Sequence, residues 1–99
     1  MSELSALARV RAKNAGPFWL TIDLFCEAGT YDAVAAIPTD AFAARLGVDP
    51  AIIRRFDMPA LEVVKLSMPR PVVQGDFANR DMHGAGWGAA LEGMPVPSA

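Results

Sequence analysis

Apolar and polar residues alternate most regularly between residues 18 and 25. The alternation divides this segment into two sets of four, Phe18, Leu20, Ile22 and Leu24 on one side and Trp19, Thr21, Asp23 and Phe25 on the other. A period of two places successive side chains on opposite faces of an extended chain, so the pattern predicts a β-strand over 18–25. A second, less regular strand is predicted over 61–68, with Lys65 opposite Asp23 if the two strands are neighbours.

A different spacing is found near the N-terminus. Four residues recur at intervals typical of one helix face, Leu4, Leu7, Ala8 and Arg11. With Ser2 as its N-cap, this segment is predicted to form a helix over 3–12.

Three short helices are predicted between the two strands. Their boundaries are marked by capping residues and prolines: Thr30 begins a helix over 30–37 that Pro38 ends, Thr39 begins a helix over 39–46 that Gly47 ends, and Asp49-Pro50 begins a shorter helix that carries Ile52, Ile53 and Phe56. Threonine and aspartate are good N-caps, proline suits the first helical position, and glycine suits the residue after a helix.

The last 31 residues differ in composition from the rest of the chain. They contain five of the eight glycines and four of the eight prolines, and the segment 75–97 shows no sustained period. We therefore predict an α+β fold, a small single domain with short helices packed on a small β-sheet and an extended irregular C-terminal tail. Residues 1–68 are predicted to form the core, and residues 69–99 a Pro/Gly-rich tail that packs on the core or on a partner.

Composition restricts the classes of function. The 99 residues are 53% hydrophobic and carry a formal net charge of −2, which does not indicate the basic surface that nucleic acids require. The apolar content is high for a small monomer and indicates an interface with a partner or a second copy. No apolar run approaches the roughly 18 residues of a membrane span. Without a secretory pattern, and with Cys26 as the one cysteine, the chain is expected to be soluble and cytoplasmic.

Few residues of the chain could bind a metal ion or act as a nucleophile. His83 is the one histidine and Cys26 the one cysteine, so a zinc site built from several such ligands is excluded within one chain. We expect no metal and no cofactor. A Cys-His nucleophilic pair is conceivable, but a cysteine at the end of an apolar strand is more often a small buried hydrophobe.

The segment from Lys13 to Pro17 is the first candidate anion site. Lys13, Asn14 and Gly16 combine an ammonium group, an amide and a backbone open to close approach, which suits a carboxylate or phosphate. The competing interpretation is a helix C-cap, with Asn14 or Gly16 in left-handed geometry and Lys13 near the helix terminus.

The second half of the chain offers further candidates. Arg70 lies between two prolines, on a stiff backbone that suits bidentate binding of an anion, or it is a solvated spacer. His83 can transfer protons near neutral pH and has Asp81 nearby, although an exposed glycine-rich loop explains the same residues. Trp87 is predicted to be an anchor that packs either on this domain or at a partner interface.

These residues also carry a resemblance to a known family. The opening block Lys13-Asn14-Ala15-Gly16-Pro17-Phe18, with Leu20-Thr21, Asp23 and Phe25, is followed by Lys65, Met68-Pro69-Arg70-Pro71, Gly75-Asp76 and Asp81-Met82-His83-Gly84-Ala85. Both blocks resemble a small, uncharacterised bacterial family that occurs beside, or fused to the C-terminus of, proteins similar to acyclic terpene utilisation protein A (AtuA). The run Gly86-Trp87-Gly88 departs from that family's pattern.

The resemblance implies a partner more directly than a reaction. It implies a small subunit of a larger AtuA-like protein, in a hydratase- or lyase-type complex that acts on an organic acid or acyl thioester and is not active as this chain alone. Lys13, Asn14, Gly16 and Arg70 would bind the anionic group of the substrate, and His83 or Asp81 would transfer protons. The alternative is a non-catalytic interaction module that stabilises or regulates its partner.

Overall fold

The centre of the molecule is an antiparallel β-sheet. The computed structural model describes residues 2–16, 18–69 and 84–96. Its strands are Ser2–Glu3 (β1), Ala8–Asn14 (β2), Trp19–Cys26 (β3), Arg54–Met58 (β4), Val63–Pro69 (β5) and Pro95–Val96 (β6). Four of them form one sheet in the order β2-β3-β5-β4, and β1 pairs separately with β6.

Short helices cover one side of this sheet. The described residues contain four of them, Leu4–Leu7 (α1), Tyr31–Ala35 (α2), Thr39–Leu46 (α3) and Gly84–Glu92 (α4), and 3₁₀ turns at Pro50–Ile52 and Pro59–Leu61. The core between helices and sheet is built from fully buried apolar side chains, chiefly Leu4, Leu20, Ile22, Leu24, Phe42, Val64, Leu66, Met68 and Leu91. The predicted α+β class is therefore confirmed. In the described part of the chain, no helix has the length and apolar character needed to cross a membrane.

The two predicted strands are confirmed. The strand expected over 18–25 is β3, and the strand expected over 61–68 is β5. They are antiparallel neighbours, and Asp23 lies opposite Lys65 as predicted. Since Leu20, Ile22 and Leu24 are fully buried, the apolar side of the alternation is the side that faces the helices.

The predicted helix over 3–12 is wrong. Only Leu4–Leu7 is helical, and Ala8–Asn14 is the edge strand β2, paired along its whole length with β3. From residue 8 to residue 13 the sequence alternates small apolar residues with Arg9, Arg11 and Lys13, which is the period of a strand. Burial of the apolar side against the core favours the strand over the helical spacing of the same residues.

The helix predicted after Asp49-Pro50 is one turn long. The Asp49 carboxylate accepts a hydrogen bond from the backbone N–H of Ala51 at 2.9 Å, so the predicted cap is present. The chain then becomes strand β4 and pairs with β5, which makes the prediction of Phe56 as a helical residue wrong. Phe56 is 49% exposed on this edge strand.

The caps of the two middle helices differ from expectation. The Thr30 hydroxyl caps no helix; it lies 2.7 Å from the carbonyl oxygens of Leu7 and Glu27 and links the residue before α2 to the end of α1. Helix α3 begins at Thr39, with Pro38 at the cap position. Its end is as predicted, because Gly47 adopts the left-handed conformation with φ of 73° that closes a helix.

Helix α4 lies in the segment that was predicted to be irregular. Trp87 and Leu91 point into the core, with 3% and 0% of their surfaces exposed. Gly88 lies close against β2, since a Cβ atom added there would be 3.3 Å from the Cβ of Ala12. A glycine-rich segment forms helix poorly by itself, so packing on the sheet is what stabilises α4.

Candidate functional site

The side of the sheet away from the helices carries a continuous set of charged and aromatic side chains. The strand register places on it Arg9, Arg11 and Lys13 from β2, Trp19, Thr21, Asp23 and Phe25 from β3, Val63, Lys65 and Ser67 from β5, and Arg54, Phe56 and Met58 from β4. We call these thirteen residues the open face. They share one side because every second residue of a strand points the same way and directly paired residues lie side by side.

The open face is strongly cationic. Among the residues that the structure describes, it holds five of the seven Lys and Arg residues but one of the nine Asp and Glu residues, Asp23. The chain as a whole carries a net charge of −2. In the described part of the chain, positive charge is therefore concentrated on the open face, and the other described residues are mostly acidic where they are charged. Such a separation attracts anionic groups to that side.

Two of the cations lie over aromatic rings. The guanidinium of Arg9 is 5.0 Å from the ring centre of Phe25, and that of Arg54 is 5.3 Å from the ring of Trp19. At these distances a guanidinium is attracted to the π-electrons of the ring. The contacts hold both cations flat against the sheet and leave Trp19 and Phe25 half-buried.

One row across the open face combines cations with hydroxyl groups. Lys13 lies opposite Thr21, Thr21 opposite Ser67, and Ser67 opposite Arg54. Beside this row lies an open groove of about 710 Å³. Its lining consists of Thr21, Lys65, Ser67, Phe56 and Met58 from the open face and the ion pair Arg55–Asp57 at its edge. Hydroxyl donors between an ammonium and a guanidinium group are suited to bind a carboxylate or phosphate.

The predicted anion site at Lys13, Asn14 and Gly16 has a different geometry from the one expected. Lys13 and Asn14 are the last residues of β2, and they point to opposite sides of the sheet because successive strand residues alternate. Gly16, with φ of 87°, lies in the connection to β3, where the N–H of Ala15 donates to the carbonyl of Trp19 at 2.9 Å. The C-cap interpretation is right about the left-handed geometry of Gly16 but wrong about the helix, since a strand and not a helix ends here. The structure brings Lys13 together with Thr21 and not with Asn14.

The other predicted site residues divide into two groups. Arg70, Asp81 and His83 lie outside the described residues. Trp87 lies in the core of this chain, which is one of the two placements expected for an anchor.

Cys26 is half-buried at the end of β3. Burial of its thiol, and next the nearby Glu62 carboxylate, raise the pKa of Cys26 above its ordinary value. A raised pKa lowers the thiolate fraction at neutral pH, and the thiolate is the nucleophile.

Cys26 is therefore expected to react with iodoacetamide at pH 8 more slowly than cysteine in an unstructured peptide. Replacing Glu62 with glutamine removes one of the two causes of the raised pKa and is expected to increase the alkylation rate. Mass spectrometry of samples quenched over time measures both rates. An alkylation rate equal to that of the peptide would show that the thiol is not protected.

The open face was missed by reasoning from the sequence. The signal for one of its strands was present, because Arg9, Arg11 and Lys13 recur at every second position. Reading that period as a strand would have placed three cations on one side of β2. The residues of β4 and β5 that lie on the same face can be identified only from the strand order. No local sequence pattern gives the strand order.

Comparison with known proteins gives one match. A family model described as a domain of unknown function, DUF4387, matches residues 3–94, a span that includes all four strands of the sheet and helix α4. No curated protein matches the chain, and no solved structure does.

Proposed function

The chain belongs to the DUF4387 family, and we propose that it is the small subunit of a two-component catabolic enzyme. The partner is a larger AtuA-like protein, and the reaction is the hydration, dehydration or isomerisation of an organic acid or acyl thioester. This chain completes or covers the active site of the larger subunit. The observation that supports the proposal best is the open face, where cations and aromatic side chains lie on an unpartnered side of the described sheet.

The form of the open face suits a subunit better than an independent enzyme. Small-molecule sites are usually enclosed clefts that bury most of the ligand. The groove beside Thr21, Lys65 and Ser67 is open to solvent, so a second surface laid over it would be needed to enclose a substrate. A larger subunit that docks on this side would supply that surface.

The roles of individual residues follow from their chemistry. The ammonium group of Lys13 binds the carboxylate or other anionic group of the substrate, assisted by the hydroxyls of Thr21 and Ser67. Arg70 adds a second cation, and His83 or Asp81 transfers protons; these three roles rest on the sequence. No cofactor is part of the proposal.

One observation favours a second candidate function. Because Lys13 and Asn14 point to opposite sides of the sheet, they do not form the single anion-binding turn that the sequence indicated. A non-catalytic module that stabilises or regulates its partner needs the open face but no substrate site. Both candidates therefore require a complex, and they differ in the role of Lys13.

The complex is tested by co-expression with the larger AtuA-like protein that we propose as the partner. Size-exclusion chromatography with light scattering is expected to show a single species whose mass contains both chains. If this chain elutes alone, folded and monodisperse, while the larger protein elutes separately, the subunit proposal is contradicted.

Replacing Lys13 with alanine distinguishes the two candidates. If Lys13 binds substrate, turnover of short-chain carboxylic acids or their thioesters by the complex is expected to fall about 10- to 100-fold, because a charge-assisted hydrogen bond is lost. Assembly is expected to persist, since four other cations remain on the open face. Ala44→Gln, at an exposed position of α3, is the matched control. Unchanged turnover in an intact complex would favour the non-catalytic module.

A further inference from the structure

We propose that the open face is the docking surface of this chain and that the partner surface it binds is acidic, rich in Asp and Glu side chains. The inference rests on the proposed function, to which it adds the location and the chemistry of the contact.

The charge of the open face favours an acidic partner. Arg9, Arg11, Lys13, Arg54 and Lys65 share the open face with the single carboxylate of Asp23. Because the described residues away from the open face carry more Asp and Glu than Lys and Arg, an approaching acidic surface is attracted by the open face more than by the rest of the described surface. Complementary charge of this kind selects the partner and orients it during encounter.

The packing of the open face also favours a protein partner. Arginine and aromatic residues are enriched in protein interfaces, and here they already hold one another in place through the pairs Arg9–Phe25 and Arg54–Trp19. Side chains that are ordered before binding lose less conformational entropy when the complex forms. Phe56, 49% exposed at the edge of the groove, adds an apolar contact.

A nucleic acid fits this face less well than an acidic protein. Single strands bind by stacking bases on free aromatic rings, whereas guanidinium groups already lie over the rings of Phe25 and Trp19. Asp23 lies on a central strand of the face, opposite both Arg11 and Lys65, where it would repel a phosphate backbone. A protein surface can present a cation or a hydroxyl at that point.

A second copy of the chain also fits less well in the commonest symmetry. In a two-fold dimer through the open face, each copy presents the same surface, so five cations would meet five cations. Such like-charge contacts disfavour this dimer.

The test compares two double variants with the same change in net charge. Arg11→Gln/Arg54→Gln removes two cations from the open face and leaves Lys13 in place. Ala44→Glu/Ala89→Glu adds two negative charges at exposed positions of α3 and α4. Each is titrated with the purified larger AtuA-like protein at 150 mM salt by isothermal calorimetry, after thermal unfolding has shown that it is folded. Arg11→Gln alone is the reserve if the first double variant does not fold.

The open-face variant is expected to raise the dissociation constant at least about tenfold, and the control less than about twofold. Complex formation that is equally tight for both variants would overturn the inference and leave the proposed function intact, whereas the absence of any complex with the unmodified chain would contradict both. Two further results would assign the face to another occupant and overturn the inference. The first is binding of a 20-nucleotide single-stranded RNA that is lost in the open-face variant. The second is a dimer of the chain alone that is lost in the same variant.

Discussion

Replacing Trp87 with alanine is expected to lower the free energy of unfolding by about 4 kcal/mol. Trp87 is 3% exposed and belongs to the same buried cluster as the apolar residues of β3 and β5. The truncation would leave a large cavity between α4 and the sheet. Urea denaturation followed by far-ultraviolet circular dichroism measures the change. Since folded domains of this size are stable by roughly 5–15 kcal/mol, the substitution removes a large part of the total free energy of unfolding.

Trp87→Phe is the matched variant. The indole N–H of Trp87 is buried and has no hydrogen-bond partner among the described residues, so phenylalanine removes some apolar volume but breaks no described hydrogen bond. A loss of about 1–2 kcal/mol is expected. An alanine variant within 1 kcal/mol of the original chain would contradict the packing of α4 on the sheet.

Replacing Arg55 with alanine is expected to lower the free energy of unfolding by about 3 kcal/mol, which is the second large effect. The Arg55 guanidinium donates to the carbonyl of Ala35 at 2.8 Å and to that of Ile37, and it also pairs with Asp57 at 2.8 Å. The same guanidinium lies over the ring of Phe42, 5.4 Å from the ring centre. Arg55 thus closes the C-terminal end of α2 and ties edge strand β4 to the helical layer. Without it, two carbonyl groups near the core lose their donors.

The neighbouring residue provides the control. Arg54 is exposed on the opposite side of the same strand and lies over Trp19, so Arg54→Ala is expected to lose no more than about 1 kcal/mol. Arg55→Lys keeps the charge but cannot reach both carbonyls and Asp57 with the same geometry, so an intermediate loss is expected. Equal unfolding midpoints for Arg54→Ala and Arg55→Ala in urea would refute the proposed tie between β4 and α2.

The fold could be predicted from the sequence where local pattern and tertiary packing agree. In β3 and β5 they agree, because apolar side chains at every second position are also the ones buried. At residues 8–14 two local signals compete: Ala8 and Ala12 allow a helix, whereas cations at every second position have the period of a strand, and pairing with β3 decides for the strand. Helix α4 is the reverse case, since its glycines disfavour a helix until Trp87 and Leu91 pack on the core.

The candidate site was harder to predict than the fold. Lys13 was identified as an anion-binding candidate because Asn14 follows it in the sequence. In strand β2, however, Asn14 points to the other side of the sheet from Lys13. The partners it acquires, Thr21 and Ser67, come from two different strands through their register. A local motif contains no information on register, so a face built across four strands is visible only when the strand order is known.

The most direct measurement of the central claim uses the lysines of the chain. Lys13 and Lys65 are its only two, and both lie on the open face. Acetylation of both with an N-hydroxysuccinimide ester, followed by mass spectrometry with and without the larger protein, reports on this surface. Carbodiimide labelling of Asp40, exposed on α3, reports on the helical side. Slower acetylation of both lysines in the complex, with unchanged labelling of Asp40, is predicted. Unchanged acetylation of both lysines in a complex that has formed would contradict the open face as the docking surface.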